Sequence, residues 1–391
     1  MSSVLIKELE INEDNLSRAN NGFCIAGDVS ATNTLIGVYA LSDRGPLPVF
    51  VGKYDAKNVR DFNDQVLLDS LKRAGVNIDD VESAVFSPAG DISTDRRTCD
   101  LTNAKFNIDA ATMNIPSVAI INDYTAIAYA VLSFGLKGDL EHLVLPHSFK
   151  GSDGKEYFGE RVENETIAIH GAGTGFGTAR IFWDRENGEY RVENIRPRRS
   201  EGGHRMIPVT THEEVDLVDW LKDYKYDGFN PPLEAILSGQ GIDDVFEYLI
   251  RRSGNNFMRI PKKVKDPAVY IADQARRNPN TEFAQTMDLF WTIYGRALHD
   301  LAVHEVAKGG VWVSGGIIMG EIEYNPGTGV VDKRIARRIM SEFDSGATHR
   351  DWYLKIPVSA IMDRLVGLKG ALEVASKPAY LEREKYVPQA A

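Results

Sequence analysis

The sequence predicts a two-domain α/β protein, with an α+β arrangement as the alternative. Its 391 residues exceed what one compact core usually holds. Two β-rich runs, each interrupted by a tight turn of small residues, occupy residues 22–41 and 166–184, about half the chain apart. Between and after them, apolar residues recur at helical spacing. These helical patterns cover residues 61–75, 212–224, 241–253 and 283–310.

Composition narrows the classes of function. The formal net charge of −11 argues against a nucleic-acid or anionic-membrane partner. The chain has two cysteines, Cys24 and Cys99, which predicts a reducing compartment and no disulfide framework. No apolar run approaches membrane-spanning length, and the N-terminus lacks the basic start and apolar core of a signal peptide. We therefore expect a cytoplasmic protein without a membrane partner.

The first hairpin is followed by an aliphatic run that ends in Asn122-Asp123, after which an alanine-rich helix is predicted. Unpaired N–H groups and the positive dipole end at a helix start favour an ionised carboxylate. Asp123 there could accept a proton as a general base. The alternative is that Asp123 serves as an N-cap, worth about 1 kcal/mol.

The second hairpin turn, "GAGTGFG", begins at Gly171. It is not the dinucleotide fingerprint, because its sixth residue is Phe176 and a strand follows it. Glycines expose consecutive backbone N–H groups, and such concavities bind phosphates. A plain hairpin turn is the alternative. Together with the first turn and with Gly315-Gly316 after a third apolar strand, it favours a nucleotide held between two lobes.

Three segments are predicted to lie outside the regular elements. Proline and charge indicate surface loops at residues 150–165 and 194–205. The C-terminal residues 376–391 are interpreted as an appendage.

Six motifs, in order and comparably spaced, resemble those of the bacterial-type glucokinase family. They are "DVSATN", "INDYTA", "GAGTGFG", "EGGH", "EAILSGQG" and "GGVWVSGGI", within a span of about residues 22–371. The resemblance implies an α/β, two-lobed actin/hexokinase-like (ribonuclease-H-like) fold with a cleft between the lobes. The implied domains are residues 1–133 plus 363–391, a small α/β domain, and 134–362, a large one.

By the same resemblance, the function is transfer of the ATP γ-phosphoryl group to the 6-hydroxyl of glucose, with Mg²⁺. Asp123 is the implied catalytic base, and Asp28 acts near magnesium through water. The hexose ligands are Asn122, Asp123, Glu201, His204 and Glu234. The nucleotide ligands are Asp28, Ser30, Thr32, Asn33, Gly173, Thr174, Gly175, Gly239, Gly241, Gly315 and Gly316. No cysteine follows "EGGH", so we expect no structural zinc.

The first phosphate turn departs from the family, since Ser30-Ala31 replaces two glycines. A Cβ at either position could hinder phosphates or exclude positive φ, which predicts weakened nucleotide binding. Two alternatives therefore stay open: a kinase of another hexose, and a non-catalytic sugar-sensing protein. The phosphoryl donor (ATP, ADP or polyphosphate) and the oligomeric state are also open, with a homodimer as one possibility.

Overall fold

A computed structural model describes residues 4–101, 104–137, 143–144, 148–186, 189–255, 259–321, 324–325, 330–331 and 333–386. The strands are β1 (Leu5–Ile11), β2 (Phe23–Val29), β3 (Asn33–Ser42), β4 (Gly45–Asp55), β5 (Val81–Pro88), β6 (Gly90–Ile92), β7 (Thr98–Leu101), β8 (Ile108–Asp109), β9 (Ser117–Ile120), β10 (Leu143–Val144), β11 (Ser148–Lys150), β12 (Glu156–Phe158), β13 (Ile167–Ala172), β14 (Phe176–Glu186), β15 (Glu189–Ser200), β16 (Gly310–Ser314), β17 (Tyr324–Asn325), β18 (Val330–Val331) and β19 (Val358–Ile361). The helices are α1 (Leu68–Ala74), α2 (Asp123–Lys137), α3 (His212–Lys225), α4 (Gly239–Ser253), α5 (Pro267–Arg277), α6 (Glu282–His304), α7 (Gly316–Glu321), α8 (Lys333–Phe343), α9 (Arg350–Tyr353), α10 (Val366–Ser376) and α11 (Pro378–Glu384).

The chain divides into two compact units. The first unit comprises Met1–Leu140 with Asp363–Ala391, and the second comprises Glu141–Met362. The domain boundaries from the sequence, at residues 133/134 and 362/363, remain a prediction, and a boundary at 133 would cut helix α2.

The first unit is built on a six-stranded sheet in the order β1-β4-β3-β2-β5-β9. Strand β2 pairs antiparallel with β3 and parallel with β5, which is in turn parallel to β9. Helix α10 packs on α2, β2 and β5. The chain therefore returns to the first unit at its C-terminal helix α10.

The second unit repeats this strand topology. Its sheet has the order β10-β19-β16-β13-β14-β15, in which β13 is antiparallel to β14 and parallel to β16. Strand β16 is parallel to β19, as β5 is to β9 in the first unit. The two β-rich runs predicted half a chain apart thus form corresponding hairpins of two similar sheets, and each hairpin carries one predicted phosphate turn.

The cores follow from these sheets. Strand β2 is buried along most of its length because helix α10 covers its sheet. Helix α6 buries apolar side chains along its 23 residues and forms the centre of the second unit's core. In the part of the chain that the structure describes, no helix is long and apolar enough to cross a membrane.

Two segments differ from expectation. The predicted loop at residues 194–205 is largely strand β15, because its Pro197 and charged residues sit in a strand that pairs on one side only, with β14. The loop at 150–165 contains part of the small β11–β12 hairpin.

The predicted appendage is also wrong for residues 376–386. Helix α11 packs on the first unit, where the Tyr380 ring lies 4.9 Å from that of Tyr129. The carboxylate of Glu384 is buried and contacts Tyr129 and Arg96.

Candidate functional site

Two carboxylates of the first unit form the acidic part of the site. Asp28 is the penultimate residue of β2, and Asp123 is the first residue of α2. Burial of Asp28, and secondarily the charge of Asp123, raises the pKa of Asp28 to about 7. The two acids therefore interact, and their paired negative charge suits a hard cation.

Asn122 caps helix α2. Its side-chain oxygen accepts hydrogen bonds from the backbone N–H groups of Tyr124 at 3.0 Å and Thr125 at 3.3 Å. The carboxylate of Asp123 accepts one from Tyr124 at 2.9 Å. Since Asn122 satisfies the helix start, the N-cap alternative for Asp123 is not needed.

The first phosphate turn is closed by the Ser30 side chain. Its hydroxyl donates to the Asn33 carbonyl at 2.9 Å and accepts from the Asn33 N–H at 3.3 Å. Neither Ser30 nor Ala31 is among the non-glycine residues with positive φ. The turn as it stands therefore does not use a glycine-like conformation, as expected for residues that carry a Cβ. Hindrance by their Cβ atoms remains a prediction.

Helix α10 closes over Asp28. A Cβ on Gly367 would lie 2.5 Å from Asp28 Oδ2. One turn further on, a Cβ on Gly370 would overlap the carbonyl oxygen of Ala126 in α2. The glycine at each position lets α10 approach both acid-bearing elements. This role was not predicted from the sequence, although two glycines spaced at i and i+3 lie on one face of a helix.

The second phosphate turn, Gly173 to Gly175, lies at the start of helix α4. The Gly173 N–H donates to the Gly175 carbonyl at 2.9 Å, and the Gly239 N–H donates to the Gly173 carbonyl at 2.8 Å. Thr174 and Gly175 are exposed. The turn therefore presents its tip to solvent while its base is fixed to α4.

The turn after β16 adjoins the same place. Gly315 has φ +105°, and a Cβ there would overlap the carbonyl oxygen of Ala172, which precedes the phosphate turn. Gly316 has open space around it. Gly241, by contrast, is buried, and a Cβ there would lie 2.5 Å from the Ile236 carbonyl oxygen. Its glycine is explained by packing inside the unit.

Glu201, His204 and Glu234 form a cluster in the second unit. The His204 ring lies 3.5 Å from a Glu201 carboxylate oxygen through Nδ1 and 3.4 Å from a Glu234 oxygen through Nε2. The three side chains are 68%, 59% and 34% exposed, so all can reach a ligand. Glu234 also accepts from the Phe176 N–H at 3.2 Å, which ties this cluster to the phosphate turn.

The structure thus groups the predicted residues by unit. The first unit holds Asp28, Ser30, Thr32, Asn33, Asn122 and Asp123. The second unit holds Gly173, Thr174, Gly175, Glu201, His204, Glu234, Gly239, Gly241, Gly315 and Gly316. Among the described residues, no group of three or more His, Cys, Asp or Glu could hold a metal ion by itself.

Known proteins are similar along most of the chain. The family model described as Glucokinase matches residues 25–378. A glucokinase from Nostoc sp. is 27% identical over 377 residues, covering 90% of this chain and 98% of the relative.

Two solved structures share the fold. A Balamuthia mandrillaris glucokinase in complex with glucose aligns with a TM-score of 0.72 and 19% identity, over 93% of this chain and 97% of that one. A ROK family glucokinase from Streptomyces griseus, in complex with glucose and AMPPNP, aligns with a TM-score of 0.55 and 18% identity, over 90% and 99%. These likenesses confirm the predicted actin/hexokinase-like α/β fold class.

Proposed function

The chain belongs to the glucokinase family, and from that premise we propose that it transfers the γ-phosphoryl group of ATP to the 6-hydroxyl of glucose. The observation that carries the proposal is the pair of acids in the first unit. Asp123 lies at the start of a helix that Asn122 already caps, beside an Asp28 whose pKa is raised to about 7. Two acids kept so close together are costly for the fold, which favours a functional reason for them.

Asp123 is the proposed general base. The attacking hydroxyl must lose its proton as the bond to phosphorus forms, and a positioned carboxylate can accept it. Burial, and secondarily the charge of Asp123, raises the pKa of Asp28 to about 7. The N–H groups and the dipole at the start of α2 favour an ionised carboxylate at Asp123, which can then accept the proton.

Asp28 is proposed to hold magnesium through water. Mg²⁺ usually keeps several waters and takes one or two carboxylates plus substrate phosphates, so it needs no all-protein cage. A half-buried carboxylate next to a second acid fits this requirement. When bound, the cation supplies neutralisation of charge on the phosphates.

The nucleotide phosphates are proposed to bind the two hairpin turns. In the first unit, the ligands are Ser30, Thr32 and Asn33. In the second unit, the proposed ligands are Gly173, Thr174 and Gly175, of which the exposed Thr174 and Gly175 can offer N–H groups to phosphate oxygens. Gly239, Gly315 and Gly316 lie around the same turn and are proposed to border the adenosine. Gly241 was predicted with this set, but because it is buried against the Ile236 carbonyl we propose a packing role for it.

Hexose recognition is proposed for the five polar residues that the motifs indicate. Glu201, His204 and Glu234 offer two acceptors and one donor or acceptor within one cluster. Asn122 and Asp123 supply the remaining ligands. A site built to hydrogen-bond sugar hydroxyls rejects analogues that lack them, because its polar groups are then left unpaired.

The predicted homodimer and cytoplasmic location remain proposals. Two buried free cysteines are compatible with a reducing compartment. Light scattering of the purified protein in solution tests the dimer.

A coupled assay that detects glucose 6-phosphate tests the main proposal. We expect turnover with glucose, ATP and Mg²⁺, and its loss when a chelator removes the metal. Mannose, glucosamine and fructose, with ADP and polyphosphate as alternative donors, complete the panel. Glucose binding by calorimetry without turnover would instead support a sugar sensor, and faster turnover of another hexose would replace glucose as the substrate.

A further inference from the structure

Thr178 lies where the β14–β15 ladder ends. It pairs with Ser200, the last residue of β15. Its side chain is buried, with 2% of the residue exposed. The Thr178 hydroxyl donates to the Ser200 carbonyl at 2.8 Å and accepts from the Gly202 N–H at 3.2 Å.

These two hydrogen bonds bracket Glu201. The residue before it and the residue after it are both bound to one buried hydroxyl. The next residue, Gly203, lies so close to β14 that a Cβ would overlap the Phe176 carbonyl oxygen. The backbone of residues 200–203 is therefore fixed on β14, while the Glu201 and His204 side chains face solvent.

The far end of the loop is fixed as well. The Arg205 carbonyl accepts from the Leu233 N–H at 2.8 Å, next to Glu234. The Arg205 guanidinium donates to the Ala297 carbonyl in α6. Both ends of the turn that carries Glu201 and His204 are thus held by named bonds, and the bond at the Glu201 end comes from Thr178.

We infer that Thr178 is a positioning residue for glucose recognition, acting through Glu201 and His204; this rests on the proposed function. The β14–β15 ladder itself is made by backbone groups, so the hydroxyl is not needed for the strands to pair. The hydroxyl instead fixes the direction in which the backbone leaves the ladder at Glu201. A loop held in its bound geometry loses less entropy when the sugar binds.

Thr178→Val tests this, because valine keeps the shape and β-branching and removes only the hydroxyl. We expect KM for glucose to rise about tenfold, because the variant loses both hydrogen bonds by which the Thr178 hydroxyl fixes the backbone around Glu201. We expect kcat and KM for ATP to stay within about twofold, since neither the base nor the phosphate turns is touched. Thr178→Ser should restore KM for glucose to near its original value.

Thr286→Val is the matched control. Thr286 is a fully buried threonine of the same unit, and its hydroxyl donates to the Glu282 carbonyl at 2.7 Å within α6. This variant should lower the melting temperature about as much as Thr178→Val does, with no change in KM for glucose. A merely structural role for Thr178 predicts equal effects of the two valine variants on KM.

Calorimetric glucose binding to the original protein and to Thr178→Val separates the possible failures. If the original protein neither binds nor phosphorylates glucose, the proposed function fails. If it does both and Thr178→Val binds glucose equally well, the positioning role is overturned while the function stands. Failure of Thr178→Ser to restore binding overturns it too, because the serine keeps the hydroxyl.

Discussion

The carboxylates of Asp28 and Asp123 repel each other within the first unit, and this repulsion separates the roles that the two acids can take. Burial makes Asp28 the weaker acid, with a pKa of about 7, and the charge of Asp123 adds to that shift. Because Asp28 is easily protonated, its carboxylate is not stable near neutral pH unless a cation lies nearby. Asp123, at the start of α2, is the better candidate for a general base.

Replacing Asp123 by Asn should lower kcat by about 10²–10⁴-fold, because the amide cannot accept the hydroxyl proton. Glucose affinity should stay within about tenfold, since Asn retains hydrogen bonds to the sugar. The melting temperature should not fall, because Asn122 supplies the cap of α2. Steady-state kinetics check the expected kcat and glucose affinity, and thermal unfolding checks the melting temperature. Near-normal turnover would mean that the base lies elsewhere.

Replacing Asp28 by Asn should stabilise the ligand-free protein at neutral and higher pH. An acid whose pKa rises on folding, here from 3.8 to about 7, favours unfolding once it is ionised. This loss of stability is absent below the pKa of Asp28 in the unfolded state. It grows as the pH rises toward the pKa of Asp28 in the folded state. Thermal unfolding from pH 5 to pH 8 should therefore show a gain for Asp28→Asn that increases with pH.

The same variant should raise KM for ATP, because the proposed magnesium ligand is lost. Added Mg²⁺ should also reduce the stability difference between the two proteins, since a cation near Asp28 favours its ionised form. A pH-independent difference in melting temperature would contradict the raised pKa.

Sequence reasoning predicted these site residues but not the neighbours that hold them. A motif names residues such as Asp123 or Glu201 because they lie in short, ordered segments. Thr178 supports Glu201 across 24 residues of sequence, the separation of its bond to Gly202. The hydrogen bond from the Ser30 hydroxyl to the Asn33 carbonyl depends on the backbone conformation of the turn, which the sequence alone does not give.

At the scale of elements, helix α10 packs on both elements that carry the acids, β2 with Asp28 and α2 with Asp123. Its Gly370 allows contact with the α2 backbone, and its Gly367 leaves room for the Asp28 carboxylate. Close helix crossings of this kind need small residues, since any Cβ would separate the two backbones. The geometry of the acidic pair is therefore set by glycines in a helix that begins about 240 residues after Asp123 in the chain.

Gly367→Ala should displace the Asp28 carboxylate, because the new Cβ would lie 2.5 Å from Asp28 Oδ2. We expect KM for ATP to rise by about tenfold and stability to fall by about 1–3 kcal/mol through overpacking. KM for glucose should change little. Kinetics at saturating glucose and chemical denaturation measure these effects.

Gly320→Ala is the control for helix propensity. A Cβ at Gly320 in α7 meets nothing within 4 Å. Alanine there should be neutral or stabilising by up to about 1 kcal/mol. If Gly367→Ala behaves like Gly320→Ala, then the Asp28 side chain can move aside without cost, and the role assigned to Gly367 is wrong.

Periodicity predicted the hairpins and the long helices, including α3, α4 and α6, because each buries one face on its own unit's core. It failed where tertiary pairing overrode composition. Strand β15 contains proline and several arginines, yet it pairs along β14 as an edge strand. Strand β1 is largely exposed, so it carries little burial signal of its own.

At the scale of the whole molecule, the duplicated sheet explains why the motifs recur half a chain apart. In each unit the hairpin that carries a phosphate turn is followed by two parallel strands. The two β-rich runs half a chain apart indicated this doubling in the sequence. The motifs did not reach the chain ends, and the family model covers residues 25–378, so β1 and all of α11 except Pro378 lie outside it.

The C-terminal segment beyond the family match completes the first unit. The Tyr129 hydroxyl donates to Glu384 at 2.9 Å across 255 residues of sequence, and Arg96 pairs with the same carboxylate. The Tyr386 N–H donates to the Val118 carbonyl in β9 at 2.9 Å. Residues 378–386 therefore bind both the strand and the helix on either side of Asp123.

Ending the chain after Lys377 should lower the melting temperature and reduce kcat. The truncation exposes the Tyr129 ring and removes the partner of its buried hydroxyl, which by itself costs about 1–3 kcal/mol. Helix α2 also carries Asp123, so loosening it should lower kcat more than it raises KM for ATP. Tyr129→Phe should also lower the melting temperature and kcat, by a smaller amount. Glu382→Gln, at an exposed position of α11, should change neither. Unchanged stability and turnover in the truncated protein would mean that the residues after Lys377 are an appendage, as the sequence predicted.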